Sequence, residues 1–382
     1  MKKEPKKKVA PKKNEQQKKE SKIITNVDIA REAGVSKALV SAFLSGKYYG
    51  PDRKQGIGIS EATREHIRET CFRLNYIPDN PAGFFCLYPE KADVAFLLND
   101  IVYDGFSNPY HSLIFEGFTK AATEKNVDLS NFLFRSQHDY MLDPDPLPNA
   151  ILRGSIKKIA LNGNPPNYSL LLRLQQMDVA VVVMGMNPEL DGIVAVVPDF
   201  FEAGRMGIHK LYDNGHRDIM VIRSEHTTKN RYSGKKLEDG CFTALRELGL
   251  NCNENALLEF TSAEGRDEHL TGKRFLSLES KPTGVFCLDD QITRTLIRGL
   301  SEHGLSIPDD LSVIGCNDDR YNRDLRPWHS SIHVPCCRMG SRAFQELNRI
   351  AAQGRPERSE TIILPVHFVD KGTVKSLTPV TS

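Results

Sequence analysis

The strongest constraint on this chain is an alternation that begins at Val94, where short apolar runs are each followed by a polar loop and an amphipathic stretch of helical period. The runs are Val94 to Leu98, Ile156 to Leu161, Val179 to Met184, Ile219 to Ile222, Gly284 to Leu288 and Leu311 to Cys316. Strands separated by helices form right-handed βαβ units, which predicts parallel sheets with ligand sites at the C-terminal ends of the strands. The chain has 382 residues, 40% of them apolar. That suffices for two such sheets and excludes a single small domain. No run reaches the roughly 18 uninterrupted apolar residues of a membrane span, and no apolar segment follows the charged N-terminus as in a signal peptide. A cytoplasmic protein without membrane contact is expected. The eight cysteines include no CxxC, which predicts reduced, mostly buried thiols.

Ahead of the alternation lies a segment of different character. Residues 1 to 22 read MKKEPKKKVAPKKNEQQKKESK, with ten lysines against three carboxylates and almost nothing to bury, the composition of a disordered tail. Its lysines either add sequence-independent phosphate contacts or simply solvate the terminus. Residues 1 to 88 carry 18 Lys and Arg against 10 Asp and Glu, so once the tail is set aside only 8 against 7 remain for residues 23 to 88. Charge therefore reports the tail and says little about residues 23 to 88.

From Ile24 the pattern is helical. A short helix starting at Thr25 or Asn26 and ending at Gly34, then a second capped by Ser36, make a helical hairpin with a tight glycine turn. Val27, Ala30, Val35, Val40 and Leu44 are expected to face inward, and Lys37, Ala38, Ser41 and Ala42 outward. Such a hairpin is the helix-turn-helix pattern, whose second helix fits a major groove. A third helix capped by Ser60 carries Ile67, Cys71 and Leu74 on one face and closes the small core. Residues 46 to 58, rich in Gly and polar side chains, read as a flexible loop; Gly56 and Gly58 follow no strand and are a weak phosphate-loop signal. Tyr76 to Leu87 links this head to the body.

The head resembles the LacI/GalR family of bacterial transcription regulators. The residues that carry the likeness are Val27-x-Ile29-Ala30-x-x-Ala33-Gly34-Val35-Ser36-x-x-x-Val40-Ser41, then Ser60-x-x-Thr63-Arg64, then Leu74-x-Tyr76-x-Pro78. In the body, Asn108-Pro109-Tyr110, Asp199 to Gly204 with Asn214-Gly215-His216-Arg217-x-Ile219, Lys281 to Asp290, Ile307 to Gly315 and Arg326 to Ile332 are similar to further blocks of that family. The resemblance spans about residues 24 to 373.

It implies a small all-α helix-turn-helix head on an α/β, two-lobed, periplasmic-binding-protein-like body, a homodimer on palindromic double-stranded operator DNA, and a small-molecule effector, such as a sugar or related metabolite, between the lobes. The head would span 23–78, a hinge 79–91, and the body 92–375. Lobe one would hold 92–211 and 322–347, and lobe two 212–321 and 348–375. The DNA-contacting residues implied are Thr25, Val35, Ser36, Lys37, Ala38, Ser41 and Ala42, with Arg53 and Lys54 in the loop. Lys37 can donate to guanine O6 and N7, and Ala38 or Ala42 can pack on a thymine methyl. Phe84 and Phe85 stand where the family's hinge inserts an apolar wedge into the minor groove; junction packing is the other reading.

For the effector, the resemblance points to Tyr110, His111, Asp199, Asp290 and Asn317. Asp290 either bonds ligand hydroxyls or caps a helix. Two departures stand out: Leu237 occupies the place of an expected arginine, and Asn317 that of an aspartate. An enzyme is disfavoured because HExxH, GxSxG, Walker and paired-cysteine patterns are absent, and no cofactor or metal is expected. His329 and His333 have i, i+4 spacing, but Pro327 and Pro335 flank them, which favours loop or strand over a metal-binding helix turn. A small-molecule-binding protein of the same body fold without operator specificity is the rival reading.

Overall fold

A computed structural model describes residues 24–45, 48–49, 57–74, 76, 87, 94–99, 108–125, 127, 131–135, 156–162, 168–225, 232–261, 263–319 and 325–377. The chain divides into two units, Met1–Tyr88 and Pro89–Ser382.

In the head, α1 (Asn26–Glu32) begins with a reciprocal cap: Thr25 Oγ1 accepts from Asp28 N and Asp28 Oδ2 accepts from Thr25 N. Two orphan donors are thereby satisfied within four residues. Gly34 turns the chain at φ +64°, a conformation that glycine adopts without a Cβ penalty. Ser36 Oγ then accepts from Leu39 N at 3.2 Å and starts α2 (Lys37–Leu44). A two-residue parallel pair, β1 (Tyr48–Tyr49) and β2 (Ile57–Gly58), precedes α3 (Glu61–Arg73), capped by Ser60. Ile29, Val40, Phe43, Leu44, Ile67 and Cys71 form the core. Each large apolar side chain buried there contributes roughly 1.5–3 kcal/mol. Burial also pushes the Cys71 thiol up to about 11.

Two inward–outward expectations change. Val27 is 44% exposed, because Ile29, about 200° further round α1, takes the inward position with Ala30 and Ala33. Ala42 is buried at 7% exposure. It lies at the border of the outward arc of α2, and a side chain that ends at Cβ does not emerge from between its neighbours.

The body contains two six-stranded sheets. Lobe one is built from β3 (Val94–Asn99), β4 (Asn131–Arg135), β5 (Lys158–Asn162), β6 (Ala180–Met184), β7 (Val194–Pro198) and β13 (Glu360–Leu364), in the order β13-β7-β6-β5-β3-β4 and parallel throughout. Lobe two repeats the order with β8 (Ile219–Ser224), β9 (Leu257–Phe260), β10 (Gly284–Cys287), β11 (Ser312–Asn317), β12 (Ser330–His333) and β14 (His367–Val369), only β14 running antiparallel. β6 and β7 are buried at every position, as strands covered on both faces must be.

Among the described residues, seven helices cover the sheets: α4 (Pro109–Glu124), α5 (Tyr168–Gln176), α6 (Phe200–Asp213), α7 (Tyr232–Glu247), α8 (Glu268–Leu276), α9 (Asp290–Glu302) and α10 (Cys336–Gln353). Three helix pairs meet through facing glycines: Gly117 with Gly340 (α4 and α10), Gly204 with Gly240 (α6 and α7), and Gly272 with Gly299 (α8 and α9). A Cβ on any of these six would come within 2.5 Å of the other helix's backbone. Backbone-to-backbone approach is what lets these helices lie against one sheet without a gap.

The lobe boundaries differ from those expected. Lobe one's sheet ends at Pro198, and α6 packs on β10, β11, β12 and β14 of lobe two. β12 stays in lobe two, α10 packs on α4 and on β5 to β7, and β13 returns to lobe one. The crossings therefore fall near residues 199, 334–335 and 365–366, where strand pairing changes sheet. His329 and His333 flank and end a strand, as the nearby prolines suggested.

Candidate nucleic-acid interface and effector site

On the head, Ser36, Lys37, Ala38 and Ser41 are exposed together at the start of α2, and Val35 is half-buried beneath them. Capping by Ser36 and packing by Val40 and Phe43 fix the helix, so these side chains point outward from a rigid element. Thr25 is exposed as the cap of α1. Ala42, from the same expected set, is withdrawn into the core, and Arg53, Lys54, Phe84 and Phe85 lie outside the described residues.

Among the described residues, the head's arginines are occupied by its own carboxylates: Arg31 with Asp28, Arg64 with Glu61, Arg68 with Glu65 and Arg73 with Glu32. Among the described residues, Lys37 is the head cation with no ion pair. The outward face of α2 is thus one lysine beside small polar and methyl groups, dimensions and chemistry suited to base edges in a major groove.

In the body, every residue singled out for an effector stands at the C-terminal end of a strand or the start of the next helix. With the first strand of each lobe flanked by the second and third, these sheets reverse direction between β3 and β5 and between β8 and β10, the crevice where open parallel sheets bind ligands. At lobe one's reversal point, Asn108 caps α4 through Tyr110 N, which places Tyr110 and His111 on the first turn. His111 Nδ1 lies 3.1 Å from Nδ2 of Asn162, the last residue of β5. Asn162 is fully buried, yet its Oδ1 has no hydrogen-bond partner among the described residues. Asn162 escaped the sequence analysis; its signal was an amide closing the apolar run Ile159-Ala160-Leu161. Asp199 caps α6 by accepting from Glu202 N.

Lobe two is organised differently. The α9 cap is Asp289, which accepts from Ile292 N, so of the two readings of Asp290 the helix cap is corrected. Asp290 is 2% exposed and saturated: Asp319 N donates to Oδ2 at 2.6 Å, and His329 Nε2 and Ser331 Oγ donate to Oδ1 at 2.9 and 3.0 Å. Residues 329, 331 and 333 share one face of β12, which is why the two histidines and Ser331 line up here. Asn317, the last residue of β11, and Asp318 after it have φ +118° and +58°, strained for non-glycine residues. The turn is held by Asp318 N to Ser331 Oγ, by Asp318 to His333 at 3.0 Å and by Lys371 to Asp318 at 2.5 Å. Burial alone would raise the Asp318 carboxyl; hydrogen bonds and charge from His333 and Lys371 outweigh it and hold it below the ordinary carboxylate range.

Leu237, at the place of the expected arginine, is 5% exposed and packs against Gly204. A second residue missed in the sequence, Tyr232 at the start of α7, has its phenol raised by burial and then by the charges of Glu189 and Asp199. It is a lobe-two side chain within electrostatic reach of Glu189 in lobe one and of Asp199 at the first crossing. A shallow depression of about 290 Å³ lined by Glu268, Arg298, Ser301, Glu302, Leu325 and Arg326 includes none of these strand-end residues, and its Glu268 and Arg298 are ion-paired to each other. Among the described residues no three His, Cys, Asp or Glu side chains gather as a metal site, and no helix is long and apolar enough to cross a membrane.

These features define a class: a helix-turn-helix head joined to a two-lobed body of periplasmic-binding-protein type. Residues 27–79 match the description "Bacterial regulatory proteins, lacI family", and residues 208–374 match "Periplasmic binding protein-like domain". The chain is 26% identical over 358 residues to the HTH-type transcriptional repressor PurR of Mannheimia succiniciproducens, covering 92% of this chain and 98% of that protein. It is 25% identical over 354 residues to catabolite control protein A of Staphylococcus aureus, covering 92% and 99%. Among solved structures, the lac repressor dimer bound to operator and the anti-inducer ONPF is similar with a TM-score of 0.64 at 17% identity, covering 93% of this chain and 100% of that one. The CelR–cellobiose complex is similar with a TM-score of 0.60 at 20% identity, covering 92% and 99%. The chain is thus similar to the LacI family of bacterial regulatory proteins in its head and to periplasmic-binding-protein-like domains in its body.

Proposed function

We propose that the protein is a sequence-specific DNA-binding transcriptional regulator of the repressor type, reading a two-fold operator as a dimer in the cytoplasm and tuned by a small-molecule effector, without catalysis. The observation that carries this reading is the capped, tightly packed α2 that presents Lys37, Ala38 and Ser41 outward from a three-helix head. Phosphate contacts position such a head, and side chains at the start of the second helix specify bases. Relatives support it: PurR is named a repressor, and the lac repressor is seen as a dimer on its operator.

For the effector, Tyr110, His111, Asn162, Asp199 and Tyr232 are the proposed contacts. The open acceptor of Asn162 suits a hydroxyl or amine donor, in keeping with the cellobiose held by CelR and the ribose held by the Enterococcus faecium regulator. Asp290 and Asn317 shape the site from lobe two. An effector alters DNA binding only by favouring one dimer arrangement over the other, a coupling of about 1–3 kcal/mol. Selection of bound duplexes from random DNA by the purified protein tests the reading. A palindromic consensus is expected, since a two-fold protein reads two-fold related half-sites. Recovery of unenriched sequence at physiological salt would reject it.

A further inference from the structure

The edge of lobe two's sheet carries two imidazoles that neither the DNA-reading helix nor the proposed effector contacts include. In the antiparallel pair β12–β14, His333 and His367 stand directly opposite each other, and their ring centroids are 4.7 Å apart with the planes tilted by 37°. Residues opposed in this way project from the same face of the sheet, with Cβ atoms about 4.5–5.5 Å apart. His367 is exposed and His333 half-buried, so solutes reach both rings.

The ring nitrogens are prepared for a ligand. His333 Nδ1 lies 3.0 Å from Asp318 Oδ2, and only a protonated nitrogen can donate to a carboxylate. In the neutral ring Nε2 therefore keeps its lone pair. Like both ring nitrogens of His367, it makes no hydrogen bond among the described residues. A carboxylate behind an imidazole is the arrangement that orients metal-bound histidines and raises their basicity. Lys371, the neighbouring cation, is tied to Asp318 Oδ1 at 2.5 Å and lies over the Trp328 ring, so its charge is already balanced by that carboxylate.

We infer that His333 and His367 form a two-histidine site for a divalent transition-metal ion of the Zn²⁺ or Cu²⁺ class, with Asp318 as the outer carboxylate and water completing the coordination. Imidazole nitrogens suit these ions, whereas Mg²⁺ and Ca²⁺ take oxygen ligands. Zn–N bonds are about 2.0–2.1 Å, and rotation of the exposed His367 ring can bring its nitrogen to an ion held by His333 without moving the backbone. The position gives the ion a consequence. His333 is the last residue of β12 before the chain leaves lobe two, and His367 is the first residue of β14 after it returns. A shared ion would clip together two of the three crossings where they meet lobe two.

Zn²⁺ alone is the probe. It is titrated calorimetrically into the full-length protein at about pH 7.5, where ordinary imidazole is mostly neutral, and into the variants His367→Ala and Asp318→Asn. One ion per chain is expected for the wild type. His367→Ala is expected to lose at least about tenfold in affinity and Asp318→Asn about tenfold, the low end of what outer carboxylates contribute. The urea midpoint of the wild type should rise with Zn²⁺ and that of His367→Ala should not, since an ion that binds only the folded state stabilises it. Wild-type binding no tighter than about 1 mM overturns the site. Unchanged affinity in His367→Ala also overturns it, because the ion would then sit on other side chains. His367 is exposed, so its variant decides the question even if Asp318→Asn, which loosens a strained turn, fails to fold. The readout is the ion, so the outcome is independent of whether the head selects an operator.

Discussion

The two lobes share a strand order and differ in what they do with the polar groups at the strand ends. Lobe two turns them on itself: Asp290 takes three donors from residues 319, 329 and 331, and Asp318 is clamped by His333 and Lys371. Lobe one leaves the buried Oδ1 of Asn162 without a partner among the described residues, beside His111 and Tyr110. A buried polar atom without a partner costs about 1–3 kcal/mol, so it persists where something else is gained. One fold, repeated in one chain, spends its strand-end polar groups differently: lobe two ties its carboxylates to its own donors and leaves only the far nitrogen of His329, Nδ1, unpartnered among the described residues of that network, whereas lobe one leaves an amide acceptor open at the strand end.

The contrast is broken most forcefully at Asp290. Asp290→Ala strands an amide, an imidazole N–H and a hydroxyl in the interior, and is expected to destabilise the body by about 3–5 kcal/mol in urea unfolding. A loss under about 1 kcal/mol would mean the network is ornamental. Asn162→Ala removes one hydrogen bond and a small volume and should cost only about 1–2 kcal/mol, while abolishing effector response once a ligand is known. Equal losses at the two sites would erase the distinction between the lobes.

A finer test uses His216, which sits in lobe two between Thr283 Oγ1 and the carbonyl of Lys375 and is 1% exposed. Burial, then the charge of Arg217, lowers its pKa, against an opposing effect of the Lys375 carbonyl. The folded imidazole is thus held neutral, while the unfolded chain takes up a proton as pH falls through about 6.5. Stability contributed by neutral His216 is present above that pH and declines below it, by at most about 1.4 kcal/mol per pH unit. The urea midpoint should fall between about pH 7.5 and 5.5, and His216→Gln should flatten that fall; an identical pH dependence in the variant would assign the effect elsewhere.

Much of the head was legible because its determinants are local. Thr25, Ser36 and Ser60 each cap a helix through a residue three positions on, and Gly34 marks the turn. Ala42 and Val27 were misplaced because their burial depends on packing beyond the helix itself. In the body, six apolar strands were visible, but β4, β7, β9 and β12 to β14 were not singled out: β7 is a five-residue run only nine residues after β6 with no helical stretch between them, the others are short or carry polar residues, and β13 joins β7 from 166 positions away at Glu360 and Val194. The lobe crossings were misjudged for the same reason. Asp290 was recognisable as a carboxylate at a strand end, yet the partners that saturate it lie 29, 39 and 41 positions away. Local chemistry is written in neighbours, and long-range pairing is not.

In the proposed function the outward face of α2 chooses the DNA sequence. It is tested most directly by selecting bound sites from random duplexes with the wild-type protein and with Lys37→Ala in parallel. A palindrome for the wild type, with one base position in each half-site losing its preference in the variant, is the predicted result, since a side chain that bonds a base edge is worth about 1–3 kcal/mol of discrimination. Identical consensus sites from the two proteins would contradict it.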